Sequence, residues 1–204
     1  MGLEQYRRSV KESKRASILA AAHENFLKNG FSRAAVADIA READVSTATL
    51  YKHFRSKEEL FATVVRESYG ELGEEFGDIS ATGSAREVFH KLARAYLQAQ
   101  FDHRVVGLMR IVIAEVPTAP DVAIDAYNFI TVHRYAQLTR IVDQMVDRKM
   151  LKPHDTKLSI VLLAGMIKEV FIWPALFDVS VTLPDNADDV IYEAIDIYLA
   201  RYGA

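Results

Sequence analysis

The sequence predicts an all-α protein of about nine helices. Apolar residues recur at three- and four-residue spacing through almost every long segment. Alternating, strand-type patterns are weak, and prolines and capping residues punctuate the periodic stretches. With 204 residues, half of them hydrophobic and 26% charged, the chain has the make-up of a soluble globular protein with a buried core.

The elements follow in order. Ile18, Ala22 and Phe26, with Leu19 and Leu27 beside them, give a first helix its apolar stripe, and Gly30 stops it. Val36, Ile39, Ala40 and Ala43 line a short second helix, and Leu50 and Phe54 lie one turn apart on a third. Ser56 and Glu59 have capping-box spacing ahead of a fourth helix, which carries Leu60, Phe61, Val64 and Val65 and runs to about residue 77. Gly70, Gly73 and Gly77 dilute its far end, and 77–83 is the expected connector.

Ser84 and Glu87 repeat the capping box before a helix that turns Val88, Phe89, Leu92 and Tyr96 inward. Asp102 is placed to cap the next, through Val105, Leu108, Met109, Val112 and Ile113. Pro117 and Pro120 interrupt the chain before a long helix from Asp121 to about Lys149, with Ile124, Tyr127, Ile130, Tyr135, Leu138, Ile141 and Met145 inward. After Pro153, the stretch Leu158–Phe177 is apolar nearly all round, and Pro174 is expected to kink or end it. A last helix follows Pro184 and Asn186, with Val190, Ile191, Ala194, Ile195 and Tyr198 on one face.

Composition excludes several chemistries. There is no cysteine, hence no disulfide and no thiolate nucleophile or metal ligand. The first fifteen residues contain no apolar run of the secretory kind, and the uncharged stretch Leu158–Ile167 is too short to span a bilayer. A cytoplasmic protein without a membrane partner is expected. The net charge of −3 divides unevenly, +5 over residues 1–57 and −8 over residues 58–204. A basic front end on an acidic body suits a nucleic-acid-binding head.

Residues 30–57 sharpen that reading. Two short helices joined by Asp44-Val45-Ser46 make a helix-turn-helix, a module that sets the start of its second helix against base edges. Asp tolerates the left-handed backbone of such a turn, and Ser46 is a good N-cap for Thr47–His53. Ala40, Val45, Leu50 and Phe54 pack the unit, which leaves Thr47, Ala48, Thr49, Lys52 and His53 outward. Small residues at the helix start allow close approach to the groove floor, where methyls and hydroxyls meet base edges. Tyr51, Lys52 and His53 reach phosphates on either side, and Lys57 adds charge beside the N-terminus of the fourth helix.

Gly30-Phe31, Val36-x-Asp38-Ile39-Ala40, Val45-Ser46, Thr49-Leu50-Tyr51-x-His53-Phe54 and Ser56-Lys57-Glu58-x-Leu60 together resemble the N-terminal domain of TetR/AcrR-family transcriptional regulators over about residues 10–65. The resemblance implies that Thr47–His53 is the recognition helix and that Tyr51, His53 and Lys57 grip the DNA backbone. The DNA-facing set is then Arg33, Ser46, Thr47, Ala48, Thr49, Tyr51, Lys52, His53 and Lys57. Three departures stand out. Ala34 and Ala35 replace the usual hydroxyl residues ahead of the second helix, Asp44 replaces a usual turn glycine, and Ala48 stands where glycine is frequent. They bear on operator sequence and affinity, not on the fold.

The resemblance also implies two functional domains: 1–57 for DNA, and 58–204 for ligand binding and dimerisation. The expected effector is a small, largely apolar molecule. Phe89, Tyr96, Met109, Tyr127, Phe171 and Trp173 are its candidate lining, with His133 or Glu115 as polar contacts. At helical spacing, each of these taken singly reads more readily as ordinary core than as ligand contact. Leu158–Phe177 and Val190–Tyr198 from two copies suit a four-helix homodimer interface, which a palindromic operator would match. The expected mechanism is repression relieved when the effector moves the helix beginning at Ser56. No cofactor and no metal are expected.

Two rivals remain at this point. Catalysis would have to use His133, His154, Asp155 or Glu115, which lack metal-ligand spacing, and no phosphate loop or GxSxG motif accompanies them. The other rival is a protein-binding helical module whose DNA head has decayed, which Ala34 and Ala35 permit and Tyr51-Lys52-His53 opposes.

Overall fold

A computed structural model describes residues 2–77 and 83–204; the side chains of residues 3, 70–77, 103, 104 and 133 lie outside that description. Most of the expected connector at 77–83 is therefore outside it too. Among the described residues the chain forms nine helices: α1 Leu3–Arg33, α2 Val36–Glu42, α3 Thr47–His53, α4 Lys57–Gly77, α5 Ala85–Gln100, α6 His103–Ala114, α7 Pro120–Asp147, α8 Thr156–Phe177 and α9 Ala187–Tyr202. The all-α expectation holds, and element borders agree closely.

The largest difference is at the front. α1 begins at Leu3, about four turns before the apolar stripe. Residues 3–17 contain neither glycine nor proline and are rich in good helix formers. Arg8 and Glu12 pair across one turn at 3.0 Å. Gly30 does interrupt the helix, with φ 76° and ψ 173°, and a single further turn follows it to Arg33.

The chain divides into two compact units, Met1–Ser68 with Gly107–Tyr127, and Tyr69–Val106 with Asn128–Ala204. The boundaries fall inside α4, α6 and α7.

In the first unit, Ile18, Ala22, Phe26, Ile39, Leu50, Phe54, Leu60 and Phe61 are all buried. Three phenylalanines form its centre. The Phe61 ring meets Phe26 edge-on at 5.1 Å and Phe31 at 5.2 Å. They join both ends of the α1 kink to α4.

The second unit has one continuous core. It is built from Val88, Phe89, Leu92 and Leu97 of α5, Val142 and Met145 of α7, Leu163, Ile167 and Phe171 of α8, and Ile191, Ile195 and Tyr198 of α9. The expected capping box of α5 is complete, since Ser84 and Glu87 cap each other's backbone. A polar knot ties the start of α8 to α9. His154 Nε2 lies 2.8 Å from Ser159 Oγ and 3.1 Å from Tyr198 Oη, and its Nδ1 lies 2.7 Å from the Lys152 carbonyl. The carbonyl accepts only, so Nδ1 donates to it.

Three expected core residues face outward instead. Ile113, Ile124 and Tyr127 are exposed, near the break at Pro117 and Pro120 where neighbouring elements end. α8 differs in another way. It is 22 residues long and contains an 18-residue window of mean hydropathy 1.9, enough by length and composition to cross a membrane, and longer than the uncharged stretch alone suggested. One face packs into the core through Ile160, Leu163, Ile167, Phe171 and Ile172. The other leaves Leu158, Val161, Leu162, Val170, Trp173 and Phe177 exposed. Pro174 neither breaks it at once nor lets it run on: α8 ends three residues later at Phe177.

Replacing Phe61 by Ala removes the ring that both other phenylalanines touch. The expected cost is about 3–5 kcal/mol, read as a lower urea midpoint at unchanged m-value.

Candidate nucleic-acid interface and effector site

The turn between α2 and α3 is built as its residues dictate. Asp44 takes φ 53°, and Val45 is half-buried beneath it. Ser46 Oγ accepts from the Thr49 backbone N–H at 3.1 Å and lies 2.9 Å from Thr49 Oγ1, closing the start of α3. Leu50 and Phe54 are buried, which fixes the rotation of α3 about its axis. Thr47, Ala48, Tyr51 and Lys52 are consequently exposed, and Thr49 and His53 half-buried. The four exposed residues fall within an arc of about 140° around α3. α2 starts at Ala35 without a side-chain cap, as the two alanines imply; Asp38 and Arg41 pair across its first turn at 2.7 Å.

Two cations of the expected DNA set have protein partners. Arg33 is exposed, and its Nε donates to the Asn29 carbonyl at 3.1 Å. Lys57 Nζ donates to the Ser32 and Ala34 carbonyls at 3.2 and 3.1 Å and sits 4.6 Å over the Phe31 ring. It fastens the end of α1 to the start of α4, and one of its three donors is left over. The Ser56 box is also rearranged. The Glu59 N–H donates to Ser56 Oγ, but the Glu59 carboxylate accepts from the Arg55 N–H at 2.7 Å rather than from that of Ser56.

The exposed front of α1 supplies cations that sequence reasoning passed over. Burial first, then the charges of Lys11, Arg15 and Lys14, hold the His53 pKa below its ordinary 6.5. Those three side chains therefore lie electrostatically beside the end of α3, and the Arg15 guanidinium sits 4.6 Å over the Phe54 ring. Arg7, Lys11 and Lys14 recur at helical spacing, a signal present in the sequence.

Glu115 is a clip. It is buried, and its carboxylate accepts from the Ser32 N–H at 2.9 Å, from the Ser32 hydroxyl, and from Thr118 Oγ1 at 2.6 Å. Burial alone raises its pKa. The hydrogen bonds from Ser32 and Thr118 and the charge of Lys57 outweigh it and hold the carboxyl below 4.5. Of the other candidate catalytic groups, Asp155 caps α8 by accepting from the Leu158 N–H at 3.0 Å, and His154 belongs to the core knot.

The expected effector residues are dispersed. Phe89, Tyr96 and Phe171 share the core of the second unit, with Phe89 edge-on to Tyr198 at 4.9 Å. Met109, half-buried, and Tyr127, exposed, belong to the first unit. Trp173 is on the open face of α8 against Phe177, with ring centroids 5.5 Å apart. The side chain of His133 lies outside the described residues.

Comparison with known proteins matches this layout. Residues 18–64 match the family model of bacterial regulatory proteins of the tetR family. Residues 87–204 match that of the C-terminal domain of AefR-like transcriptional repressors. The fatty acid metabolism regulator protein of Bacillus subtilis (strain 168) is 32% identical over 78 residues, which cover 38% of this chain and 40% of that protein. The chain thus matches well under half the length of that relative. A solved structure from Mesorhizobium loti is 22% identical, with a TM-score of 0.83 over 95% of this chain and 98% of that one. The flavonoid-responsive regulator FrrA is 24% identical, with a TM-score of 0.79 over 93% of this chain and 97% of its own. These two likenesses establish the fold.

The Glu115 clip has a pH signature. Its folded pKa is below the unfolded value, so it stabilises above the unfolded value and loses that contribution as pH falls through the folded one. Glu115→Gln is expected to be less stable than wild type near pH 7, with the gap narrowing as pH drops below about 4.5. Urea midpoints across that range check it; a gap independent of pH assigns the effect to packing.

Proposed function

The chain belongs to the TetR family of bacterial transcriptional regulators, and on that premise we propose that it is a homodimeric, cytoplasmic repressor that releases a palindromic operator when a small, largely apolar molecule binds its body. The observation that carries this is α3. Buried Leu50 and Phe54 hold a seven-residue helix whose Thr47, Ala48, Tyr51 and Lys52 point outward from a basic head. Residues 1–57 are the DNA-binding domain, and residues 58–204 bind effector and form the dimer.

In this reading Thr47, Ala48 and Thr49 meet base edges, and Ser46, Tyr51, Lys52, Arg33 and His53 meet phosphates. Lys57 offers its remaining donor to the backbone. Lys11, Lys14 and Arg15 extend the positive surface. The open face of α8, with Val190–Tyr198 of α9, pairs with its copy in a four-helix interface; the exposed Leu158, Leu162, Trp173 and Phe177 support it. The names of the Bacillus subtilis relative and of FrrA favour an organic effector. Tyr96 and Phe171 are its nearest aromatic neighbours in the body.

Release works through α4, which starts beside α3 and runs into the second unit. An effector that favours a DNA-incompetent spacing of the two heads needs a coupling of about 1–3 kcal/mol, and operator DNA must weaken effector binding by the same factor.

Anisotropy titrations with duplex DNA at several salt concentrations test the head. Lys52→Ala is expected to weaken binding to all sequences and lower the salt slope by about one, while Thr49→Val changes the preferred sequence at a similar slope. A protein with no affinity for duplex DNA at low salt ends the reading. The dimer is tested separately. Leu162→Glu is expected to leave a folded chain of 22.9 kDa by light scattering and to lower operator affinity by about 10²–10⁴-fold.

A further inference from the structure

Arg134 of α7 is placed unlike Arg86 and Arg94 of α5. On the outer face of α5, Arg86 pairs with Asp196, and Arg94 lies 3.6 Å from Asp188. Arg134 is half-buried. Its guanidinium lies 5.4 Å from the Tyr69 ring centroid and 5.2 Å from that of Tyr96, both buried tyrosines. Among the described residues no carboxylate pairs with it.

Ring faces offset only part of the cost of withdrawing a cation from water. Lys168 of α8 stands in the same electrostatic neighbourhood. Lys168 is exposed; partial desolvation of its ammonium first, then the charge of Arg134, lower its pKa, and no described carboxylate pairs with it either. Burial also raises the Tyr69 phenol to about 12 and pushes Tyr96 up further, so both stay protonated. One turn along α5 from Tyr96, Gln100 is buried with an amide nitrogen that has no acceptor among the described residues. Donors and positive charge gather here, and among the described residues no carboxylate answers them.

We propose that this cluster is the anchoring subsite of the effector, and that the effector is an amphiphilic acid whose carboxylate is held by Arg134 and Lys168 while its apolar body lies among the aromatic side chains around Tyr96. The inference rests on the reading that the body takes an apolar effector, and it adds the charge. A planar guanidinium suits a carboxylate because two parallel N–H groups meet two oxygens. The anion also relieves the repulsion between the two cations. Tyr96 supplies a hydroxyl and both tyrosines supply ring faces, the Tyr69 hydroxyl already donating to the Val105 carbonyl at 3.2 Å, and neither contributes negative charge.

Decanoate, decanol and decylamine share one chain and differ in the head, so they separate the contributions. Calorimetric titration of the full-length wild-type protein is expected to show decanoate binding at least about tenfold tighter than decanol, and decylamine weakest. Arg134→Gln is expected to abolish the decanoate advantage while leaving decanol affinity unchanged, and Arg134→Lys to restore part of it. Lys168→Gln, at a more open position, gives a smaller loss in the same direction. Wild type binding decanol or decylamine as tightly as decanoate, or Arg134→Gln keeping the preference, overturns the charge inference and leaves the apolar-effector reading standing. If none of the three binds up to its solubility limit, the apolar-effector reading falls, and this inference with it.

Discussion

Seven residues do not make a stable helix in water. Isolated helices shorter than about 12–15 residues are marginal even with good formers, and α2 and α3 have seven residues each. Everything the head presents to the outside therefore depends on what holds those helices from within. The anchor is the burial of Ile39, Leu50 and Phe54 in the unit whose aromatic centre is Phe26, Phe31 and Phe61. Because Leu50 and Phe54 lie one turn apart, their burial leaves α3 only one rotation about its axis, and that rotation exposes Thr47, Ala48 and Tyr51. The outward face is a consequence of the inward one.

Local chemistry made much of this readable from residues alone. Gly30 takes the positive φ that ends a helix, Asp44 takes the left-handed turn, and Ser46 and Ser84 cap as their spacing implies. Each is decided by residues within four positions of one another. What was not readable depended on distant partners. Glu115 looks like a spare acid in sequence, yet its carboxylate holds Ser32, 83 residues away. Lys57 reads as a phosphate ligand, yet two of its donors close the end of α1. The effector residues scatter for the same reason: periodicity tells which side of a helix is apolar, but not which neighbour covers it. Ile113, Ile124 and Tyr127 sit on apolar faces that no described neighbour covers.

α8 is a case in which composition and packing have to be weighed together. Its hydropathy alone fits a membrane span, and its all-round apolar character alone fits the centre of a core. The structure satisfies half of the second description: Leu163, Ile167 and Phe171 are covered, and Leu158, Leu162 and Trp173 are not. A row of large exposed side chains along one helix is costly for a solitary soluble chain and is removed by a second copy. The dimer reading therefore follows from an excess of apolar surface over what one protomer can bury.

The two compact units meet their boundaries inside helices rather than in loops, at 68/69, 106/107 and 127/128. A continuous helix resists bending because each turn is hydrogen-bonded to the next, so displacement at one end is carried to the other instead of being absorbed. Glu115 lies on the turn after α6, and through Ser32 and the Lys57 charge it binds that turn to the ends of α1 and α4 within one unit. On the proposed function, any movement of the start of α4 has to work against the Lys57 bonds to the end of α1.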